Sequence, residues 1–299
     1  MTSSPSALQI LQGIREDKAS GAAPLAHKGA QLLLACLKGE TGGHLPQEIL
    51  SLGRALVDAQ PSMAPMTNLV NHLFEAIESL QDPQAIREKG TAAVQGFLDN
   101  LITGPDKIKA HALPLLKGKR KVMTHSYSST CLGVLGHAKA IEVICPEARP
   151  LLEGVRTAKE LGAKGVRVRI VVDSAAPSLI GECDVVMVGA DAITPEGVVN
   201  KIGTYALALA AKDNRVPFYC LAGTEKFLPP PFCQALRIEE KDPQEITHEA
   251  IPNSRVENRY FDCTPLDLIT AVVTQEGVIA GGEVQKRLKG MRISKGLQA

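Results

Sequence analysis

Residues 122–132 read VMTHSYSSTCL. The run begins apolar, breaks into hydroxyls around His125, and resumes as a helical pattern through Leu132, Val134 and Leu135. A strand that turns straight into a helix is the first half of a parallel β-α-β unit. The same alternation continues downstream. β-rich runs stand at 121–124, 140–145, 166–172, 185–188 and 216–221, with helical patterns at 154–161 and 202–212. Strands alternating with helices predict a parallel sheet covered on both faces. Ligands of such sheets bind in the loops that leave the strand ends. The function is therefore to be sought after Thr124, Cys145, Val172 and Val188.

Upstream the pattern is different. Apolar stripes at helical spacing run through Ile10, Leu11 and Ile14, then Leu32, Leu33 and Leu37 after Pro24, then Ile49, Leu52 and Leu56, then Leu69, Leu73, Ile77 and Leu80. Turn residues at 39–43, 61–65, 82–83 and 104–105 separate them. The reading is an α/β chain: an N-terminal helical domain over 1–115, then a parallel-sheet domain over 116–299 that carries the ligand crevice. No internal repeat or low-complexity segment stands out. The Pro/Glu/Lys-rich span 227–252 reads as an irregular surface excursion.

The chain has 299 residues, 44% of them hydrophobic, enough for a substantial core. Aromatics make up 3%, with no Trp, and the net charge is +1. Neither suits a nucleic-acid surface. The start, MTSSPSALQ, lacks the charged and apolar regions of a signal peptide, and no apolar run approaches the ~18 residues of a membrane span. Seven cysteines are scattered and never spaced C-x-x-C. The expectation is a cytoplasmic protein with reduced thiols, no disulfide framework, no metal and no cofactor.

Polar clusters mark the strand ends. They are His125 to Thr130, the turn Pro146-Glu147-Ala148-Arg149-Pro150, Asp173-Ser174, Gly189-Ala190-Asp191 leading to Asn200-Lys201, and Gly223-Thr224-Glu225-Lys226. Hydroxyls opening a helix leave backbone N–H groups for an anion. Arg149, Lys201 and Lys226 offer positive charge, and Asp173 and Asp191 are candidate general bases or sugar-hydroxyl ligands. Plainer roles compete. Ser128 and Ser129 suit helix N-caps, Asp173 suits a cap, His125 suits a structural histidine, and Cys131 suits packing. Asp191 is the strongest candidate, because a buried strand ends there in small residues that let a ligand approach. The missing G-x-G-x-x-G argues against a nucleotide-dependent oxidoreductase.

The block VGADAITPEGVVNKIGTYALALAAK, followed by VPFYCLAGTEKF, resembles the signature of the translation initiation factor 2B alpha/beta/delta family. That family includes methylthioribose-1-phosphate and ribose-1,5-bisphosphate isomerases. IREDKASGAAPLA, PSMAPMTNL, VMTHSYSSTCL, PEARP and NRYFDCTPLDLIT extend the resemblance through most of the chain. It implies an N-terminal helical domain, a Rossmann-like C-terminal domain, homo-oligomers, and a phosphorylated small molecule, sugar phosphate or nucleotide, as ligand. The isomerases use a cysteine directly after Thr-His and the aspartate of Gly-Ala-Asp. Here the aspartate is Asp191 and the cysteine position holds Ser126. The resemblance further nominates Gly21, Ala22, Ser128, Ser129, Arg149, Asn200, Lys201 and Lys226 for binding. Two arginines of the isomerases are missing, since Arg-Gly-Ala reads Ser20-Gly21-Ala22 and Arg-Pro-Thr reads Gln60-Pro61-Ser62.

A hydroxyl is a far weaker acid than a thiol, and Cys131, five residues along, lies on a different face of the helix. The sequence therefore favours a regulatory phosphate-binding protein resembling an initiation factor 2B subunit, with contact to translation initiation factor 2 implied by the family name. The alternative is an aldose–ketose isomerase of a phosphorylated pentose, with Asp191 and Ser126 catalytic.

Overall fold

The protein is described by a computed structural model over residues 7–17, 21–39, 44–61, 63–138, 140–233 and 240–298. Two compact units emerge from the chain's own contacts. One comprises Met1–Thr103, Glu225–Leu236 and Gly290–Ala299, the other Gly104–Thr224 and Arg237–Lys289. A linear division at residue 115 does not express the two later segments that return to the helices.

The first unit holds α1 (Ala7–Glu16), α2 (Ala22–Lys38), α3 (Leu45–Ala59), α4 (Ala64–Ile77) and most of α5 (Pro83–Ala112). The stripes read from the sequence are their buried faces: Ile14, Leu33, Leu56, Leu69 and Leu73 join one apolar cluster. Proline in the first turn of α3 and of α4 fits a position where an N–H would be unbonded anyway. The expected turn at 104–105 is not there, because α5 runs on through Pro105. A proline costs the helix one hydrogen bond, roughly 3 kcal/mol. The burial of Leu98 before it and Ile108 after it holds the helix on both sides. The short helix belonging to this unit after residue 225 lies within the span expected to be a surface excursion. Phe227 and Leu228 there are fully buried, and Asn68 Nδ2 donates to the carbonyls of Glu225 and Phe227, both at 2.7 Å. Residues 234–239 of that span lie outside the described residues.

The second unit is α/β. In chain order it contains β1 (Lys121–Met123), α6 (Ser129–Leu135), β2 (Glu142–Pro146), α7 (Glu153–Ala163), β3 (Arg167–Val171), β4 (Val185–Val188), β5 (Ala192–Ile193), β6 (Val198–Lys201), α8 (Thr204–Asp213) and β7 (Phe218–Leu221). The helix of the first unit, α9 (Pro230–Cys233), intervenes. Then come β8 (Phe261–Thr264), β9 (Ala271–Thr274), β10 (Gly277–Ala280) and α10 (Gly281–Lys289). The main sheet has the order β10-β9-β7-β4-β1-β2-β3, parallel except for β10. All of β4 is buried, as a central parallel strand covered on both faces must be, whereas β3 at the edge exposes Ile170, and Val172 just after it is exposed too. A second sheet, β5-β6-β8, is antiparallel.

The chain lays β2 and β3 on one side of β1, and later β4, β7 and β9 on the other. The strand order therefore reverses between β1 and β4. That is the switch point at which crevices open in sheets of this kind. Within the apolar segment Leu266 to Ile279 the edge strand β10 keeps Val278 exposed. β9 lies between β7 and β10 with all its residues buried.

Candidate functional site

β1 and β4 are parallel neighbours in the register Met123↔Val186. Three residues beyond each stand Ser126 and Gly189, so the Thr-His-Ser loop and the Gly-Ala-Asp loop leave the sheet side by side at the switch point. A side chain at Gly189 would sit 2.7 Å from Ser128 Oγ, so glycine is what lets the two loops touch. Asp191 is exposed at the end of its loop, its backbone N–H bonded to Val199 O at 2.8 Å.

Ser126 has φ of 60°, a left-handed conformation uncommon for a residue with a side chain. Such strain costs on the order of 1–3 kcal/mol and clusters at functional sites. Its carbonyl is tied down by Thr157 Oγ1 of α7, which donates at 2.7 Å. Sequence alternation alone places His125 and Ser126 on opposite sides of an extended strand. The structure adds the turn at Ser126 to that.

His125 is 3% exposed, and its Nε2 lies 2.8 Å from Ile202 O. The carbonyl can only accept, so Nε2 carries the proton and Nδ1 is bare. Nδ1 is buried with no hydrogen-bond partner among the described residues. Burial holds the imidazole below its ordinary pKa, against the opposing pull of the Ile202 carbonyl and the Asp173 charge. His125 thus serves as a strut for the turn after β6. The stability it confers is complete above the unfolded value of about 6.5 and is lost as pH falls through the lower folded value. His125→Gln keeps an N–H donor at the same reach and removes the titration. Its urea-unfolding free energy should be less steep between about pH 6.5 and 5 than that of the native chain. Parallel slopes would remove His125 as the cause.

The turn His125 supports is Lys201-Ile202-Gly203. Gly203 has φ of 103° and lies where an added Cβ would meet His125 Nε2 at 3.2 Å. From the other side, Asp262 Oδ2 accepts from the N–H of Gly203 at 2.7 Å and of Tyr205 at 3.1 Å, anchoring the start of α8. Desolvation pushes this carboxyl up to about 6. Asp262 had no role in the sequence reading, although NRYFDCTPLDLIT contains it. The β5-β6-β8 sheet that carries it was missed because its strands are short, and the Thr194-Pro195-Glu196-Gly197 turn between apolar pairs was the available signal.

The nominated binding residues are distributed unevenly. Ser128 is the N-cap of α6, its Oγ accepting from Cys131 N at 3.3 Å, and Ser129 is the first helical residue. Cys131 is buried packing. Asn200 and Lys201 lie on β6 and are buried. Asn200 Nδ2 donates to Thr204 Oγ1 at 3.0 Å, and Lys201 Nζ lies 2.8 Å from Glu153 Oε2, with the rings of Tyr260 and Phe261 4.5 and 5.4 Å away. The charge of Lys201 is therefore already matched by Glu153, a partner invisible from sequence because it sits on α7. Asp173 opens a 3₁₀ turn that its side chain does not cap. Its two oxygens accept from the N–H groups of Ala148 at 2.8 Å and Arg149 at 2.7 Å, fixing the turn after β2. The Arg149 guanidinium is exposed, with one nitrogen bonded to Glu245 O at 2.9 Å and another to Pro150 O at 3.3 Å. Its five donors leave capacity for an anion. Gly21 and Ala22 at the start of α2, and Lys226 in a 3₁₀ turn, are residues of the helical unit. Ser20 and Ser62 lie outside the described residues. Among the described residues no cluster of His, Cys, Asp and Glu is arranged to hold a metal, and no helix is long and apolar enough to cross a membrane.

Residues 18–281 match the Initiation factor 2 subunit family. The chain belongs to that family. Among relatives in the family, a ribose 1,5-bisphosphate isomerase of Archaeoglobus fulgidus is 34% identical over 281 residues, covering 91% of this chain and 89% of its own. A putative translation initiation factor eIF-2B subunit 2-like protein of Pyrococcus horikoshii is 31% identical, covering 91% of this chain and 95% of its own. The crystal structure of a Pyrococcus horikoshii translation initiation factor eIF-2B superposes with a TM-score of 0.75 at 30% identity, over 93% of this chain and 98% of the other. That of a 5-methylthioribose 1-phosphate isomerase from the same organism superposes with a TM-score of 0.72 at 21% identity, over 95% of this chain and 87% of the other, and speaks for the fold alone. The initiation factor 2 subunit family thus spans both readings of the sequence. The isomerase relatives at 34% and 33% identity weigh toward the enzyme, which sequence reasoning placed second.

Proposed function

We propose that the chain takes up a pentose phosphorylated at C1, at the strand ends between β1 and β4, and isomerises it slowly from aldose to ketose. One observation carries the reading: Asp191 and Ser126 leave neighbouring strands at the switch point, in a chain one-third identical to a ribose 1,5-bisphosphate isomerase. Moving a hydrogen between C2 and C1 of an opened sugar needs one group to take a proton and another to give it. The Asp191 carboxylate is the base. Ser126 stands where the isomerases, by resemblance, carry a thiol, and its high pKa limits the rate. The exposed Arg149 guanidinium meets the phosphate.

A second reading keeps the ligand and drops the turnover, leaving a regulatory protein of the initiation factor 2B kind. The specific observation in its favour is that His125, the histidine adjoining Ser126, gives its proton-bearing nitrogen to Ile202 O and holds a turn. Contact with an initiation factor belongs to this second reading, and homo-oligomers suit either.

Calorimetric titration with ribose 1,5-bisphosphate and with methylthioribose 1-phosphate tests the shared part. Arg149→Ala should weaken binding roughly 10-fold or more, the loss of a charge-assisted contact of about 1.5–3 kcal/mol. Equal affinity in both proteins, or no binding at millimolar ligand, overturns it. Ketose product that disappears in Asp191→Asn supports the enzyme; binding without product supports the second reading.

A further inference from the structure

At the other end of the same sheet, where β1 and β2 begin, the surface folds into a cavity of about 390 Å³. This lies within the range of small-molecule sites, roughly 300–1,000 Å³. Its walls are Lys117, Lys119, Arg120 and His137, and buried Leu116 and Ile141 contribute the apolar part. The crevice of the proposed function opens from the opposite ends of β1 and β2, so the two cannot be one site.

The charge at this cavity is one-sided. No carboxylate lines it among the described residues. Lys117, Lys119 and Arg120 make no ion pair with any described residue. Two carboxylates stand just outside the wall and are outnumbered by its cations: Asp184 Oδ2 accepts from the backbone N–H of Arg120 at 2.8 Å and of Lys121 at 2.9 Å, and Asp106 pairs with Lys109 at 2.8 Å. His137 gives Nδ1–H to Gly133 O at 2.7 Å, which leaves Nε2 for another partner. Local structure fixes the arrangement. Lys117 and Lys119 flank Gly118, whose φ of 78° bends the chain, and their N–H groups close the turn on Pro114 O and Leu116 O at 3.2 and 3.0 Å. Cationic side chains gathered on one concave wall attract a multivalent anion.

We propose that this cavity is a second binding site, for a small molecule carrying two or more neighbouring phosphate charges, with pyrophosphate as its minimal form. It is independent of the crevice that takes the pentose. Its apolar wall adds contact for a compact organic body, up to about the size of a sugar bisphosphate.

The test is titration calorimetry with inorganic pyrophosphate at low salt, on four full-length proteins: native, Lys117→Gln/Lys119→Gln/Arg120→Gln, Lys119→Gln alone, and Arg149→Ala in the crevice. The triple variant should bind at least about 10-fold more weakly, a loss of about 1.4 kcal/mol, the single variant should fall between, and Arg149→Ala, which weakens only the crevice, should keep the cavity's binding. The His137 ring resonances of the native protein should shift during the titration, a readout that needs no variant. Three results overturn the proposal: undiminished binding in the triple variant, binding lost with Arg149 instead, or pyrophosphate at millimolar concentration leaving both the heat and the His137 signals unchanged.

Discussion

Ser126→Cys should raise aldose–ketose turnover about 10²-fold or more, and Asp191→Asn should remove whatever turnover the native chain has. General acid–base groups commonly contribute about 10²–10⁴ in rate, and the contribution depends on a pKa near the working pH. A thiol approaches that range and a serine hydroxyl does not. The hydroxyl gets no help from its neighbour, because His125 presents its N–H to Ile202 O and is locked in the wall of the β6 turn. The backbone at Ser126 is already in the left-handed conformation, with its carbonyl fastened by Thr157, so exchanging oxygen for sulfur leaves the local geometry unchanged. The measurement is ketose formation from ribose 1,5-bisphosphate under single-turnover conditions, for native protein, Ser126→Cys, Asp191→Asn and the double variant. Native turnover at ordinary enzyme rates, about 1–10³ per second, would mean that serine suffices. A Ser126→Cys protein that binds ligand yet gains nothing would mean that the pocket no longer presents C1 and C2 to residue 126, leaving the regulatory reading.

Much of this arrangement is legible in the sequence, and the residues show why the rest is not. The strand-to-helix turn at 122–132 announces a parallel sheet because its periodicity changes within a few residues, and β4 announces itself because a buried parallel strand is apolar on both faces. Asp191 is nominated by the buried strand it follows, and Ser126 by the family resemblance at the Thr-His turn. What stays hidden depends on pairing between distant segments. Lys201 reads as a free phosphate ligand until Glu153, forty-eight residues earlier, is found 2.8 Å away. Asp173 reads as a cap or base until its oxygens are seen to hold the N–H groups of Ala148 and Arg149. Pro105 shows the opposite failure, a strong local breaker overruled by burial on both sides of it.

Gly154→Ala should be the most damaging single methyl group in the sheet unit, costing on the order of 3 kcal/mol, and it should also weaken phosphate binding through a residue that touches no ligand. Gly154 is the second residue of α7, and a Cβ there would fall 1.7 Å from the carbonyl oxygen of Pro146 and 3.0 Å from the carbonyl carbon of Glu147. These are backbone atoms, so no side chain can swing aside. Overpacking of this kind ordinarily costs about 1–3 kcal/mol, and rigid neighbours put it at the upper end. The Gly154 N–H also bonds Glu147 O at 3.0 Å, so the entry to α7 is pressed directly against the turn that leaves β2. That turn presents Arg149, and Asp173 holds it from the far side. A methyl group at 154 must push the turn away from the helix, shift Arg149, and loosen the Asp173 bonds together. The expected results are a fall in Tm of about 6–12 °C and a loss of pentose-phosphate affinity comparable to that of Arg149→Ala. Pyrophosphate binding at the opposite end of the sheet should persist wherever the variant remains folded. A variant as stable as the native chain would show that helix α7 can slide along the sheet to make room. A destabilised variant with full pentose-phosphate affinity would show that the turn after β2 does not position Arg149 for the ligand.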